Sequence, residues 1–282
     1  MSDINDQYDP YFQCYNAVKS DPLYYYCGEY TTIKEISQSG IYSDNCLSGM
    51  KILDLGCGSG RTIAHLFEKG ASEAVGLDLS PHMVEDAIRF LTEIGIPQDK
   101  FLIKQANCFS SAELYNALPL EQYSEHFDAI TAQYLHCYAE NLDKLTESFL
   151  VSNKWLKRDG VLCFTAPNPK IATEFEYFQE LAETRNFFLQ FKSLTHSKEQ
   201  IPKEKLAFNN LETGKELFSV STFLYQINHF REALNRGGFE LISAKGLEMN
   251  PNSGLNLDDD RNILRVGEYS DGYSFKAKNN SI

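Results

Sequence analysis

A glycine-rich junction constrains the fold of this chain more than any other feature of the sequence. Residues 53–61 (LDLGCGSGR) follow a short apolar run and precede a stretch with helical spacing. Glycines there allow positive φ and leave no Cβ in the way of a ligand that lies on the backbone. The free N–H groups at the start of the next helix can bind a carboxylate or another anion. Taken alone, the loop is equally consistent with a tight turn.

An acidic residue follows the loop at the spacing of a ribose-binding site. Asp78 ends the next apolar run, 22 residues after Gly56. A carboxylate at that distance is placed to accept hydrogen bonds from ribose hydroxyls. The alternative role of helix N-cap is already filled by Ser80, which precedes Pro81. We therefore predict that Asp78 binds a ribose.

The same loop argues against two other nucleotide-binding motifs. A dinucleotide fingerprint would place a third, later glycine at the position of Arg61, where helix and strand pack closely. A phosphate-binding P-loop would continue into Gly-Lys-Ser or Gly-Lys-Thr, which is absent from this stretch. The ligand is therefore predicted to be neither a dinucleotide nor a nucleoside triphosphate.

Apolar runs alternate with helix-like stretches between about residues 50 and 166, which predicts βαβ units and a parallel sheet. The predicted strands are residues 51–55, 73–79, 101–106, 127–132 and 161–166. Residues 168–221 are rich in Phe, Glu and Lys and show no clear strand. A helix over residues 223–235 and two further strands over 239–246 and 273–278 are predicted to follow.

Composition excludes several classes of function. A hydrophobic fraction of 43% and a charged fraction of 23% are ordinary for a globular chain. The net charge of −13 disfavours nucleic acid and anionic membranes as partners. No long apolar stretch or basic leader is seen, and the seven cysteines form no C-x-x-C pair. We expect a cytoplasmic protein without a membrane span, a disulfide framework or a metal site.

Two stretches carry a family resemblance. Residues 51–61 (KILDLGCGSGR) and 75–87 (VGLDLSPHMVEDA) resemble the first and second motifs of class I S-adenosylmethionine-dependent methyltransferases of the small-molecule type. The resemblance covers roughly residues 48–168 and resumes weakly at 229–239. It implies an α/β, Rossmann-like, doubly wound fold, with a mostly parallel seven-stranded sheet, an N-terminal helical lid and an insertion after the fifth strand.

This likeness divides the chain into four predicted parts. Residues 1–49 would form an aromatic lid segment, and residues 50–167 the S-adenosylmethionine-binding core. Residues 168–222 would form a substrate cap, and residues 223–282 would complete the sheet.

The resemblance implies a set of cofactor-binding residues: Asp54, Gly56, Gly58, Gly60, Asp78, Leu79, Met83, Asn107, Cys108 and Gln133. The three glycines would lie against the methionine portion and the ribose, with Asp54 beneath them. Asp78 would bind the ribose hydroxyls, and Leu79 with Met83 would contact the adenine. Asn107 and Cys108 would meet the adenine amine, although the family most often has Asp at the position of Asn107. Gln133 would face the methionine end.

Two candidate catalytic residues lie outside that set. His136 occupies the loop after the fourth predicted strand, and its ordinary pKa suits a general base. A hydrogen-bonded, noncatalytic histidine is the alternative, and His229 is the second candidate for the base. Tyr11, in the aromatic N-terminal segment, could hold the sulfonium cation through its ring face. The alternative is that these aromatic residues pack the lid onto the sheet.

Three functions remain open from the sequence. The first is a methyltransferase for a small molecule, with an N, O or C acceptor undetermined. The second is an enzyme similar to the mRNA cap guanine-N7 methyltransferases, to which residues 133–140 (QYLHCYAE) have some likeness. The third is a noncatalytic partner subunit that binds the cofactor. The oligomeric state and the pathway are not predicted.

Overall fold

Two separate sheets organise the part of the chain that this computed structural model describes. That part comprises residues 25–37, 43–184, 189–196, 201–210, 213–250, 270 and 272–280. Its strands are β1 (Lys51–Leu55), β2 (Glu73–Asp78), β3 (Phe101–Gln105), β4 (Phe127–Gln133), β5 (Leu156–Pro167), β6 (Leu189–His196), β7 (Pro202–Asn209), β8 (Glu216–Phe223), β9 (Phe239–Gly246) and β10 (Gly272–Asn279).

The larger sheet has seven strands in the order β3-β2-β1-β4-β5-β10-β9. Strands β1 to β5 pair in parallel, whereas β10 runs antiparallel to both β5 and β9. The chain order reverses between β1 and β4, and ligands of such sheets bind in the crevice at that switch point. The predicted fold class, including the insertion after the fifth strand, is thereby confirmed.

The described part of the chain has eight α-helices. They are α1 (Tyr30–Ile36), α2 (Arg61–Glu68), α3 (Pro81–Glu93), α4 (Ser111–Ala117), α5 (Leu120–Tyr123), α6 (Leu142–Trp155), α7 (Phe175–Thr184) and α8 (Ile227–Arg236). Helix α3 begins as predicted, because the Ser80 side chain accepts a hydrogen bond from the Met83 amide at 3.3 Å. Across these residues, none of the helices is long and apolar enough to cross a membrane.

The inserted segment contains a sheet that the sequence analysis did not predict. Strands β6, β7 and β8 form an antiparallel sheet, packed against α7 and the 3₁₀ turn Pro169–Ala172. In β7 the apolar residues Leu206, Ala207 and Phe208 are consecutive and Glu204 occupies a buried position, so the strand shows no alternation of apolar and polar residues. We call the described residues between 169 and 223 the cap.

The helix predicted over residues 223–235 begins later than expected. Phe223 belongs to β8, where it pairs with Lys203, and α8 begins only at Ile227. The predicted start was wrong because strand pairing, which the local sequence does not show, holds Phe223 in the cap. Gln226 and His229 then form a reciprocal cap at the start of α8.

An aromatic core fixes the last strands against the parallel part of the sheet. Phe275 of β10 stacks on Phe164 of β5 with ring centroids 4.8 Å apart and planes inclined by 5°. Phe230 of α8 lies 4.6 Å from the Phe275 ring. On the opposite side of the sheet, Ile33 of α1 is buried in a smaller apolar cluster. The N-terminal helix is therefore part of the packed fold.

Candidate functional site

The glycine loop between β1 and α2 has the backbone form that a ligand cradle requires. Gly58 has a φ of 53°, and an added Cβ there would meet nothing within 4 Å, so the space over it is open. Gly60 has a φ of 81°, and its Cβ would come within 3.2 Å of the Ala87 Cβ. The first glycine thus keeps room for a ligand, and the second lets α2 pack closely against α3.

Asp78 ties this loop to the neighbouring strand and helix. Its Oδ2 accepts a hydrogen bond from the Gly58 amide at 2.8 Å, and its Oδ1 accepts one from the Ser80 amide at 2.9 Å. Each carboxylate oxygen has a second lone pair that can take a ligand hydroxyl. The carboxylate can therefore shape the loop and bind a ligand at the same time.

A cavity opens at the switch point between β1 and β4. The predicted residues among its lining are Gly56, Gly58, Asp78, Leu79, Met83, Asn107, Cys108 and Gln133. The lining also includes Ser80, Phe109, Tyr134, Leu135 and Tyr138, which the sequence analysis did not assign to the site.

Two of the predicted cofactor residues lie outside the lining. Asp54 is 1% exposed and accepts a hydrogen bond from Thr131 Oγ1 at 2.7 Å, beneath the loop. Gly60 is the residue before α2 and faces α3. In this structure both residues support the loop, and direct contact with a ligand stays a prediction for them.

The adenine end predicted for the site has a defined local structure. The Asn107 Oδ1 accepts a hydrogen bond from the Phe109 amide at 2.9 Å, as an aspartate at this position also could. Burial raises the pKa of the neighbouring Cys108 thiol to about 12. The thiol therefore stays protonated near neutral pH and fits the predicted role of a small packing residue.

Gln133 is fixed between two threonines from different elements. Its Nε2 donates a hydrogen bond to Thr32 Oγ1 of α1 at 2.7 Å, and its Oε1 accepts one from Thr165 Oγ1 of β5 at 3.0 Å. Both threonines are fully buried. Because Gln133 lines the cavity, the N-terminal helix takes part in orienting a side chain of the site.

Tyr134 turns the chain sharply just after β4. It has a φ of 51°, in the left-handed region that residues other than glycine rarely adopt. Its amide donates to the Thr165 backbone oxygen at 3.1 Å, which helps to hold this conformation. A Cβ at Gly272 would come within 2.1 Å of the Tyr134 hydroxyl, so glycine there makes room for the ring. After this turn, Leu135 and Tyr138 line the cavity.

His136 lies on the other side of that turn from the cavity. It is fully buried, and its ring centroid lies 4.7 Å from those of both Phe149 and Phe164. Within the described chain neither ring nitrogen has a hydrogen-bond partner. Burial lowers the pKa of His136 to about 3. The structure does not bring this histidine to the site, so we do not retain it as a catalytic base.

The other catalytic candidates have different outcomes. His229 accepts a hydrogen bond through Nδ1 from the Gln226 amide at 3.2 Å, so it caps α8 and acts structurally. Tyr11 lies outside the described residues, and its role stays a prediction. Tyr134 and Tyr138 were not predicted as site residues because the left-handed turn that places them contains no glycine, so the sequence does not indicate the turn.

Comparison with known proteins agrees with this geometry. A family model described as a methyltransferase domain matches residues 47–235. The chain is 30% identical over 167 residues to an uncharacterized protein of Haemophilus influenzae, a match that covers 57% of each chain. It is 30% identical over 121 residues to an mRNA cap guanine-N(7) methyltransferase of Schizosaccharomyces pombe, covering 43% of this chain and 32% of the relative. The chain thus spans about half the length, or less, of these curated relatives.

The fold has a close counterpart among solved structures. An S-adenosylmethionine-dependent methyltransferase from Clostridium acetobutylicum superposes with a TM-score of 0.60 at 13% identity, covering 96% of this chain and 99% of that one. At that identity the likeness shows the fold alone. Because the family model spans more than half of the chain, this protein belongs to the methyltransferase domain family, whose cofactor is S-adenosylmethionine. The open space over Gly58 and the Asp78 carboxylate fit that cofactor.

Asp78 provides a direct test of the cofactor site. We expect Asp78→Asn to raise the Kd for S-adenosylhomocysteine about 10- to 100-fold, because hydrogen bonds to a charged group contribute about 1.5–3 kcal/mol. Isothermal titration calorimetry measures this Kd. Asp128→Asn is the matched control, since Asp128 lies at the start of β4 and pairs with Lys157. Equal affinities for both variants would contradict the assignment.

Thr32 tests the link between the N-terminal helix and the cavity. Thr32→Val removes the acceptor for the Gln133 amide, so we expect the Kd for S-adenosylhomocysteine to rise about two- to tenfold. Thr32→Ser keeps the hydroxyl and should restore the affinity, with a similar Tm for both variants. If valine and serine behave alike at position 32, the hydrogen bond does not position Gln133.

His136 predicts a particular pH dependence of stability. Below pH 6.5 the unfolded chain takes up a proton at this ring, but the folded chain does not until about pH 3. The free energy of unfolding therefore falls by about 1.4 kcal/mol per pH unit as the pH falls through this window. His136→Phe should flatten the loss of unfolding free energy between pH 7 and pH 5 by about 2 kcal/mol. Urea unfolding at several pH values measures it, and identical slopes would refute the prediction.

Proposed function

We propose that this protein transfers a methyl group from S-adenosylmethionine to a small molecule. The observation that carries the proposal is the cavity itself, which runs from the glycine loop and Asp78 to the aromatic side chains of Tyr134 and Tyr138. One end has the features of a cofactor site, and the other lies next to the cap. A cofactor and an acceptor can therefore share one cavity.

The residues of the cavity act mainly by binding and alignment. S-adenosylmethionine supplies a methyl group that its own sulfonium already activates. Asp78 and Asn107 would hold the ribose and the adenine, and Gln133, fixed by its two threonine partners, would orient the methionine end. Such a transfer requires the acceptor atom in line with the methyl group and water kept out.

The described lining offers few groups that could accept a proton. Burial, and after it the charge of Glu204, raises the pKa of Tyr138, so its phenol stays protonated. Cys108 is a neutral thiol, and Asp78 is occupied by two backbone amides and, in our proposal, the ribose. Among the described lining residues no side chain other than Asp78 is an anion that could take a proton. This favours an acceptor atom that is nucleophilic without first losing a proton.

A second candidate function has support of its own. The similarity to a fungal mRNA cap guanine-N(7) methyltransferase favours a guanine acceptor on RNA. Against it stands the net charge of −13, since phosphate contacts normally dominate the affinity for RNA. We therefore rank the small-molecule acceptor first and the capped RNA second. The noncatalytic partner subunit remains the third hypothesis.

One set of measurements separates these functions. We expect one S-adenosylmethionine to bind per chain by calorimetry, and S-adenosylhomocysteine to form in the presence of small-molecule acceptors. A capped oligonucleotide, GpppG-RNA, should give no product above the background of uncapped RNA. Product from capped RNA alone would favour the second function. Cofactor binding without product from any acceptor would favour the third, and absence of cofactor binding would refute all three.

A further inference from the structure

The cavity has an apolar wall on the side of β3. Leu79, Met83 and Phe109 line it, and helix α3, which carries Met83, packs against β2 and β3. The ends of these two strands are joined by a hydrogen bond from the Ala106 amide to the Asp78 backbone oxygen at 2.9 Å. The flat apolar faces of a nucleobase fit this wall, whereas the charged amino-acid end of the cofactor does not. With the ribose on the Asp78 carboxylate, the base therefore lies beside β3 in the proposed mode of binding.

Asn107 provides a polar group at the edge of this wall. It lines the cavity and follows β3, which ends at Gln105. Its Oδ1 accepts a hydrogen bond from the Phe109 amide at 2.9 Å, which fixes the orientation of the side-chain amide. The reversed orientation would place the Nδ2 donor against the donor of Phe109. Within the described residues Nδ2 has no hydrogen-bond partner, so it is the group of Asn107 that is left for a ligand.

This orientation presents a donor to the base, whereas adenine carries both donors and acceptors on its edge. The exocyclic amine is a donor, and the ring nitrogens are acceptors. The Asn107 Nδ2 therefore complements a ring nitrogen and does not complement the amine. The nearby Glu113 carboxylate does not supply the missing acceptor, because it bonds to the Asn107 backbone amide at 3.1 Å and is not among the residues that line the cavity.

We propose that Asn107 makes the cofactor site indifferent to the exocyclic amine of adenine, because its side chain donates a hydrogen bond to a ring nitrogen of the base instead. An aspartate at this position would keep the contact with the Phe109 amide through one oxygen and present the other oxygen to the amine. Asn107 is thus a residue that determines which purine the cofactor may carry. The proposal rests on the proposed methyltransferase function, since it concerns the same site.

Two ligands that differ only in the amine test this preference. They are S-adenosylhomocysteine and its 6-deamino analogue, in which purine replaces adenine. Isothermal titration calorimetry with the full chain gives a Kd for each ligand. For the wild type, the Kd of the analogue should exceed that of S-adenosylhomocysteine by no more than about threefold, because removal of the amine breaks no hydrogen bond to Asn107.

A matched pair of variants assigns the preference to Asn107. In Asn107→Asp the ratio of the two Kd values should rise at least about tenfold above the wild-type ratio, because a hydrogen bond from the amine to a carboxylate is charge-assisted. Asn141→Asp is the control, since Asn141 Oδ1 likewise accepts a backbone amide, that of Lys144 at 2.8 Å, and lies outside the lining. This control adds the same charge and should keep the wild-type ratio. Both variants should keep the Tm of the wild type.

Two results would overturn the proposal. One is a wild-type Kd for the analogue that exceeds the Kd for S-adenosylhomocysteine by more than about threefold, since the amine would then be bound. The other is a ratio in Asn107→Asp that does not rise above that of Asn141→Asp. The first comparison uses the wild type alone and holds even if a variant fails to fold. Failure of the wild type to bind S-adenosylhomocysteine is a different result, since it would count against the proposed function itself.

Discussion

The carboxylate of Asp78 is the group on which the rest of the site depends. It accepts the Gly58 amide on one oxygen and the Ser80 amide on the other, so one side chain joins the glycine loop to the start of α3. The Gly58 amide of the left-handed loop is held by this carboxylate, which itself lines the cavity. The charge of the site, the shape of the loop and the start of α3 therefore all depend on this carboxylate, and its loss would affect all three.

A second set of hydrogen bonds joins the cavity to parts of the chain that are distant in sequence. Gln133 at the end of β4 is held by Thr32 from α1 and Thr165 from β5. In α1 itself, Thr31 bonds to the backbone of Glu248, beyond β9. Helix α1 is thus fixed both to the cavity and to the segment that follows the edge strand β9.

The local sequence predicted what depends on backbone freedom and spacing, and missed what depends on tertiary pairing. The glycine loop, Asp78 and the Ser80 cap could be predicted because their residue types are favoured at particular backbone positions. His136 was misplaced because position in a loop does not say which side of the sheet a residue faces, and here that side is an aromatic core. The sheet of the cap was missed because β7 shows no alternation of apolar and polar residues. Its strands show themselves only through pairing.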